Sequence, residues 1–114
     1  MGFRAVSAGM KMKQHNKDQS KGMNTAERLL CDAFLAMTTR TEVRDLLQDL
    51  CTPAELEAMV DRWRVMLMLQ QGLTYRDINQ RTGVSVTTIG RVARFVDFGS
   101  GGYKRALQRI EVPQ

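Results

Sequence analysis

The stretch from Thr52 to Gly72 constrains the fold of this chain more than any other part of its 114 residues. Thr52, Pro53 and Glu55 form a strong helix start, because the hydroxyl can cap the first turn, proline needs no partner for its nitrogen there, and the glutamate can reach back. Gly72 is typical of the position just past a helix end. The sequence therefore predicts one helix across this interval.

Inside that helix, residues 65–69 form an unbroken apolar run, Val-Met-Leu-Met-Leu. Five consecutive apolar residues cover the whole circumference of a helix, so the run should be buried on all sides. A helical domain of roughly 90 residues has little core with which to surround it. A second copy of the chain is the simplest cover, and we predict a homodimer.

Two shorter amphipathic helices are predicted before the long one. Apolar residues at spacings of three and four line one face of the first, namely Ala26, Leu29, Leu30, Ala33, Phe34 and Met37. Val43, Leu46, Leu47 and Leu50 line the second in the same way. Asn24 with Glu27, and Thr39 with Glu42, predict a capping box at each start. Because aromatic residues make up only 6% and β-branched runs are scarce, we expect an all-α helical bundle.

Charge is distributed unevenly along the chain, which carries a formal net charge of +5. Residues 1–23 hold five basic residues and one acidic residue. Residues 24–71 hold five basic and eight acidic residues, and residues 72–110 hold seven basic and two acidic residues. A basic final third is typical of a surface that attracts a polyanion, although a merely solvated basic face has the same composition. We expect residues 1–23 to form a disordered basic tail, with a phosphate-contacting arm as the alternative, and residues 24–114 to form the helical domain.

The sequence offers little for metal, membrane or catalytic chemistry. Cys31 and Cys51 lie twenty positions apart and His15 is the one histidine, so we expect no metal site, no catalytic residue, and thiols that pack as small hydrophobes. No apolar stretch approaches the length of a membrane span, and the N-terminus lacks the apolar core of a signal peptide. We predict a cytoplasmic protein that is not an enzyme and needs no cofactor.

Two short helical segments, separated by a glycine, follow the long helix. The first begins at Thr74 and the second after Ser85, with Gly83 between them, where a left-handed residue is needed. Ile78, Val84, Ile89 and Val92 fall where the two helices of a helix-turn-helix press together. Asn79 stands where such motifs usually have alanine. The pattern predicts a helix-turn-helix over residues 74–97, and with it DNA binding.

The second segment would serve as the recognition helix. Short side chains at its N-terminal end let the backbone enter the major groove, and arginines further along reach phosphates or guanine. The predicted DNA-contacting residues are Thr74, Tyr75, Arg76, Val86, Thr87, Thr88, Gly90, Arg91 and Arg94. An ordinary helical hairpin with a charged face is the simpler interpretation of the same residues.

The stretch from Thr52 to Tyr103 resembles the Trp repressor superfamily, and more closely its YerC/YecD-like branch. The resemblance rests on the string TPAELEAMVDRWRVMLMLQQGLTYRDINQRTGVSVTTIGRV and on the later FGSGGY. It implies an all-helical, intertwined homodimer that places two recognition helices in successive major grooves of double-stranded DNA. The expected function is therefore sequence-specific regulation of transcription, as a repressor.

The resemblance also implies a pocket for an amino-acid corepressor. The matching positions in this chain are Thr52, Arg62, Thr88 and Arg91. The family has glycine where this chain has Val92, and a small serine where it has Phe95. Two bulky side chains would fill space that an indole ring needs, so we expect no tryptophan binding. We expect Phe95 to belong to the core, and both arginines to pair with a carboxylate or a phosphate.

Two other kinds of protein fit parts of the sequence. A helix-turn-helix of transposase or sigma-like type would share the motif, but such proteins carry large additional segments that a chain of this length does not accommodate. A helical protein-interaction module would dock its apolar helix on a partner. Salt separates DNA binding from apolar docking, because DNA binding releases counterions and weakens steeply as salt rises.

Overall fold

Six α-helices follow one another in the computed structural model, which describes residues 22–110, and this part of the chain contains no strand. Their bounds are α1 Thr25–Leu35, α2 Arg40–Leu50, α3 Pro53–Gln70, α4 Tyr75–Thr82, α5 Val86–Phe98 and α6 Gly102–Arg109. The predicted all-α fold class is confirmed. The basic tail predicted for residues 1–23 lies, apart from its last two residues, outside the described part.

The helices fall into two compact units that divide between Leu50 and Cys51. We call residues 22–50, with α1 and α2, the N-terminal unit, and residues 51–110, with α3 to α6, the C-terminal unit. The sequence predicts a single helical domain over residues 24–114, and this domain assignment stays a prediction.

Local capping explains where the helices of the N-terminal unit begin. The predicted box at α1 is present: the Glu27 backbone N–H donates to Asn24 Oδ1 at 2.7 Å, and the Asn24 N–H donates to Glu27 Oε1 at 3.0 Å. At α2 only half of the predicted box forms. The Glu42 N–H donates to Thr39 Oγ1 at 3.1 Å, but the Glu42 carboxylate accepts from the Thr38 N–H at 2.8 Å and from the Thr38 hydroxyl at 3.1 Å.

Amphipathic packing in the N-terminal unit stops short of full burial. The predicted stripes are half-buried at Leu29, Ala33, Phe34, Met37, Val43, Leu46 and Leu47. Leu30 and Leu50 belong to the same stripes and are exposed, as is Leu35 at the end of α1. No side chain in residues 22–50 is fully buried.

The long helix α3 begins and ends as its sequence predicts. Thr52 Oγ1 accepts from the Glu55 N–H at 3.1 Å, and the Thr52 N–H donates to Glu55 Oε1 at 2.8 Å, with Pro53 as the first helical residue. Gly72, at φ +88°, follows the end of the helix in the left-handed conformation that favours glycine.

The core of the C-terminal unit lies where α3, α4 and α5 meet. It consists of Val65, Met66, Ile78, Ile89, Val92 and Val96, with Tyr103 and Leu107 of α6 packed against it. Val65 and Met66 are fully buried within one chain, whereas residues 67–69 are half-buried. The prediction that the apolar run requires a second copy to bury it is therefore wrong for Val65 and Met66, because α4 and α5 supply the cover.

Candidate nucleic-acid interface

Helices α4 and α5 form the predicted helix-turn-helix. The Asp77 N–H donates to Thr74 Oγ1 at 3.1 Å, which caps α4, and the Thr88 N–H donates to Ser85 Oγ at 3.1 Å, which caps α5. Between them Gly83 has φ +77°, the left-handed conformation that the turn requires. The motif was predicted to end near Asp97, and α5 ends one residue later.

Side-chain hydrogen bonds hold the turn between the two helices. Asn79 Nδ2 donates to the Val84 carbonyl oxygen at 2.8 Å. The Thr82 hydroxyl donates to the Ile78 carbonyl at 2.7 Å and accepts from the Val84 N–H at 3.0 Å. Asn79, a departure from the usual alanine, is thus a structural residue that ties α4 to the turn. No sequence pattern singles out Thr82, because its role depends on the fold of the turn.

The four apolar positions predicted between the helices do pack together. Ile78, Ile89 and Val92 are fully buried and Val84 is half-buried against them. Because apolar side chains of both helices share one core, the orientation of α5 relative to α4 is set by packing rather than by the turn alone.

The structure places most of the predicted DNA-contacting residues on the surface of α4 and α5. The exposed ones are Thr74, Tyr75, Arg76, Val86, Thr87, Arg91 and Arg94. Gly90 is half-buried because the Tyr75 ring covers it: a Cβ built on Gly90 would lie 3.8 Å from Tyr75 Cε2. Thr88 is half-buried, its hydroxyl oxygen accepts a hydrogen bond from the Ser85 hydroxyl at 3.1 Å, and it lines a cleft described below.

The arginines on this surface have no acidic partner. Asp61 and Arg64, at 3.7 Å, form the single ion pair of the C-terminal unit as far as it is described. Arg76, Arg91 and Arg94 therefore keep their full positive charge toward solvent, and such uncompensated charge attracts a polyanion.

Three of the four residues predicted to hold an effector line one cleft of about 460 Å³. Arg62, Thr88 and Arg91 are joined there by Val92, Phe95 and Tyr103. Thr52 is not among the residues that line this cleft, and its hydroxyl caps α3 instead. A second cleft of about 410 Å³ shares Phe95 and Tyr103 with the first. Its other lining residues are Trp63, Gly99, Ser100 and Gly102.

The cleft corrects two expectations about its side chains. Phe95 is not a core residue: 48% of it is exposed, and it forms a wall of both clefts. Arg62 and Arg91 do not pair with a carboxylate of the described chain. Instead Arg91 Cζ lies 6.0 Å from the centroid of the Phe95 ring, within the range of a cation–π contact. Val92, by contrast, is buried in the core as well as lining the cleft.

Aromatic stacking joins α3 to α6 beside the cleft. The rings of Trp63 and Tyr103 lie 6.2 Å apart between centroids with an angle of 21° between their planes. Offset stacking of this kind adds specific geometry to apolar burial. Tyr103, which lines both clefts, is therefore held by a second ring and not only by the aliphatic core.

The described residues hold no group of three or more His, Cys, Asp or Glu side chains arranged to bind a metal ion. Cys31 is exposed, so the expectation that it packs as a small hydrophobe is wrong, whereas Cys51 is half-buried and its thiol lies 4.0 Å from the Met59 sulfur. None of the helices between residues 22 and 110 combines the length and the apolar character that crossing a membrane demands.

Comparisons with known proteins agree with this geometry. The family model described as Trp repressor protein matches residues 26–111. The uncharacterized protein YerC of Bacillus subtilis (strain 168) is 35% identical over 82 residues, which span 72% of this chain and 79% of YerC.

Two solved structures are similar in both fold and sequence. A TrpR-like protein from Eubacterium eligens ATCC 27750 has a TM-score of 0.70 at 35% identity, over 78% of this chain and 95% of that one. A structure from Staphylococcus aureus, assigned provisionally as a Trp repressor, has a TM-score of 0.72 at 37% identity, over 79% of this chain and 92% of that one.

Proposed function

The chain belongs to the Trp repressor family, in its YerC-like branch, and we propose that it is a sequence-specific DNA-binding regulator of transcription, a repressor, that acts as a homodimer. One observation carries the proposal. The helix-turn-helix presents the exposed start of α5 beside Arg76, Arg91 and Arg94, which no carboxylate neutralises in the described chain. An exposed helix start flanked by positive charge fits the major groove between two rows of phosphates.

Different residues on this surface have different tasks. Val86 and Thr87 lie in the first turn of α5 and would meet thymine methyl groups or base edges. Thr74, Tyr75 and Arg76 lie at the start of α4 and would meet the phosphate backbone. Arg91 and Arg94 follow on α5 and would reach phosphate or guanine, whereas Gly90, predicted to contact DNA, leaves room for the Tyr75 ring that covers it.

The homodimer is supported by apolar surface that one chain leaves uncovered. Residues 22–50 contain no fully buried side chain, and α3 exposes Met59 and Val60 before its buried segment. Large apolar side chains left exposed in this number favour an interaction site. A dimer with two-fold symmetry would present two copies of α5, so the preferred DNA site is an inverted repeat with half-sites about one helical turn apart. The cytoplasmic location stays a prediction.

Two substitutions test how DNA is read, and competition binding on matched and scrambled duplexes measures them. Thr87→Ala should cost about 1–3 kcal/mol on the preferred site and relax the preference at one or two base pairs. Arg76→Ala should weaken binding to all sequences about equally and reduce the slope of log K against log salt by about one. Arg81→Ala, at the opposite end of α4, is the matched control for lost charge.

The same measurements can contradict the proposal. Equal, uniform losses from Thr87→Ala and Arg76→Ala would mean that the reading surface is wrongly assigned. Binding that is insensitive to salt would favour a protein-interaction module, for which the strongly exposed Phe98 and Leu35 are the supporting observation.

We propose further that tryptophan is not an effector, although the cleft is open. The Phe95 ring already stands 6.0 Å from the guanidinium carbon of Arg91, and Val92 adds a branched side chain to the same cleft. Millimolar tryptophan should therefore change neither the melting temperature nor the DNA affinity. A melting temperature that rises and saturates with tryptophan would contradict this, because a ligand that binds the native state must stabilise it.

A further inference from the structure

Arg91 is the residue that the candidate interface and the cleft have in common. It is exposed on α5, and it has no acidic partner in the part of the chain that is described. Its guanidinium lies over the ring of Phe95, one helical turn later, with 6.0 Å between Arg91 Cζ and the ring centroid. Residues four apart on a helix lie on the same face, so this contact arises within α5 itself.

An unpaired surface arginine has many rotamers, and holding one of them costs side-chain entropy. A ring face beneath the guanidinium attracts it electrostatically and leaves its N–H groups, which lie in the plane, free to donate. The ring therefore restricts Arg91 without consuming the hydrogen bonds that a phosphate would accept.

Phe95 contributes little else that the structure shows. With 48% of it exposed it is outside the buried core, whose members on α5 are Ile89, Val92 and Val96. An aromatic ring left half in water adds less to folding than a buried one. Its position over Arg91 is thus better explained by what it does to that guanidinium.

We propose that Phe95 is a positioning residue for DNA binding. Its ring holds the Arg91 guanidinium, before DNA arrives, in an arrangement that can meet a phosphate, so that no small molecule is needed to organise this arginine. The inference rests on the proposed DNA-binding function and adds to it how the arginine is prepared.

A double-mutant cycle on DNA affinity tests the proposal. Phe95→Leu keeps an apolar side chain but removes the ring face, and should weaken binding roughly twofold to fivefold, the range that an exposed cation–π contact corresponds to. Phe95→Trp retains a ring face and should bind as the wild type does. In an Arg91→Ala background, Phe95→Leu should have no further effect.

Two controls separate positioning from general damage. Phe98→Leu makes the same change at a more exposed phenylalanine of the same helix and should leave affinity unchanged. In the free protein, side-chain NMR should show Arg91 Hδ protons shifted upfield by the ring in the wild type and in Phe95→Trp, and unshifted in Phe95→Leu.

A failure of this inference can be told apart from a failure of the proposed function. A wild-type protein that binds no duplex in a salt-dependent way overturns the proposed function, and this inference with it. The inference alone is overturned if the wild-type protein binds DNA but Phe95→Leu lowers the affinity by the same factor in the wild-type and in the Arg91→Ala background. Unshifted Arg91 protons in the wild type also overturn it.

Discussion

The N-terminal and C-terminal units are both built from capped amphipathic helices, yet only one of them makes a core. Residues 22–50 leave every apolar side chain at least partly accessible, whereas the C-terminal unit buries six. The physical difference is the number of neighbours: α3 is flanked by α4 and α5, while α1 and α2 are two eleven-residue helices. Two short helices cannot surround an apolar side chain, so amphipathicity alone does not produce burial.

This contrast assigns different tasks to the two units. The C-terminal unit has its own core and can hold the helix-turn-helix rigidly, which a DNA-reading surface needs. The N-terminal unit has apolar stripes that are not buried in a core of its own. We therefore expect its substitutions to affect assembly and those in the C-terminal core to affect folding.

The largest expected effect is at the centre of the C-terminal core. Met66→Asp places a carboxylate where the side chain is fully buried and has no polar partner, which should cost several kcal/mol, a large fraction of a typical stability. Circular dichroism during thermal unfolding should show a protein without a cooperative transition. Gln70→Asp, exposed on the same helix, is the control and should cost less than about 1 kcal/mol. A Met66→Asp protein that melts near the wild-type temperature would contradict the assigned core.

A smaller effect, on assembly, is expected in the N-terminal unit. Leu47 is half-buried on the apolar stripe of α2, and Leu47→Asp should shift the protein from about twice the mass of one chain to one chain in sedimentation velocity at micromolar concentration. Losing one leucine from an interface costs about 1.5–3 kcal/mol, or roughly tenfold to a hundredfold in dissociation constant. Gln48→Asp, the exposed neighbour, should leave the dimer intact. A folded wild-type monomer would end the dimer proposal.

The smallest effect concerns the start of α2. The hydrogen bond from the Thr38 backbone N–H, followed by that from the Thr38 hydroxyl, lowers the pKa of Glu42 below its ordinary value. A carboxyl whose pKa is lower in the folded state stabilises that state above its unfolded pKa and loses this contribution as pH falls through the folded pKa. Glu42→Gln should therefore flatten part of the acid-side decline in melting temperature. Asp45→Asn, which removes an exposed charge but no cap, serves as control; identical curves for the two variants would contradict the cap.

Much of the fold could be predicted because its signals are local. A capping box needs two side chains three residues apart, and both Asn24 with Glu27 and Thr52 with Glu55 form as predicted. Gly83 adopts the left-handed conformation because the turn allows little else. The expectation that the chain is not an enzyme is confirmed by its family, whose members are DNA-binding regulators.

The errors have a common physical origin. The Glu42 carboxylate accepts hydrogen bonds from Thr38 rather than completing a box with Thr39, because the turn before α2 brings the Thr38 N–H and hydroxyl within hydrogen-bond distance. Cys31 is exposed because the face of α1 that it occupies meets no covering helix in its unit. In each case the side chain is compatible with more than one environment, and the residues that surround it in the folded chain determine which one it has.

The sequence by itself determined five of the six helical segments, the capping boxes of α1 and α3, the glycine turn and the family, because those depend on residues a few positions apart. Helix α6, Gly102–Arg109, was not predicted from the sequence. Tertiary structure decided which apolar residues are enclosed, and it buries Val65 and Met66 within a single chain. It also decided that Arg62, Thr88 and Arg91 share a cleft without Thr52, and that Phe95 stands beside Arg91 as a wall rather than in the core. Burial and side-chain contact are set by how helices pack, and a hydrophobic period does not contain that information.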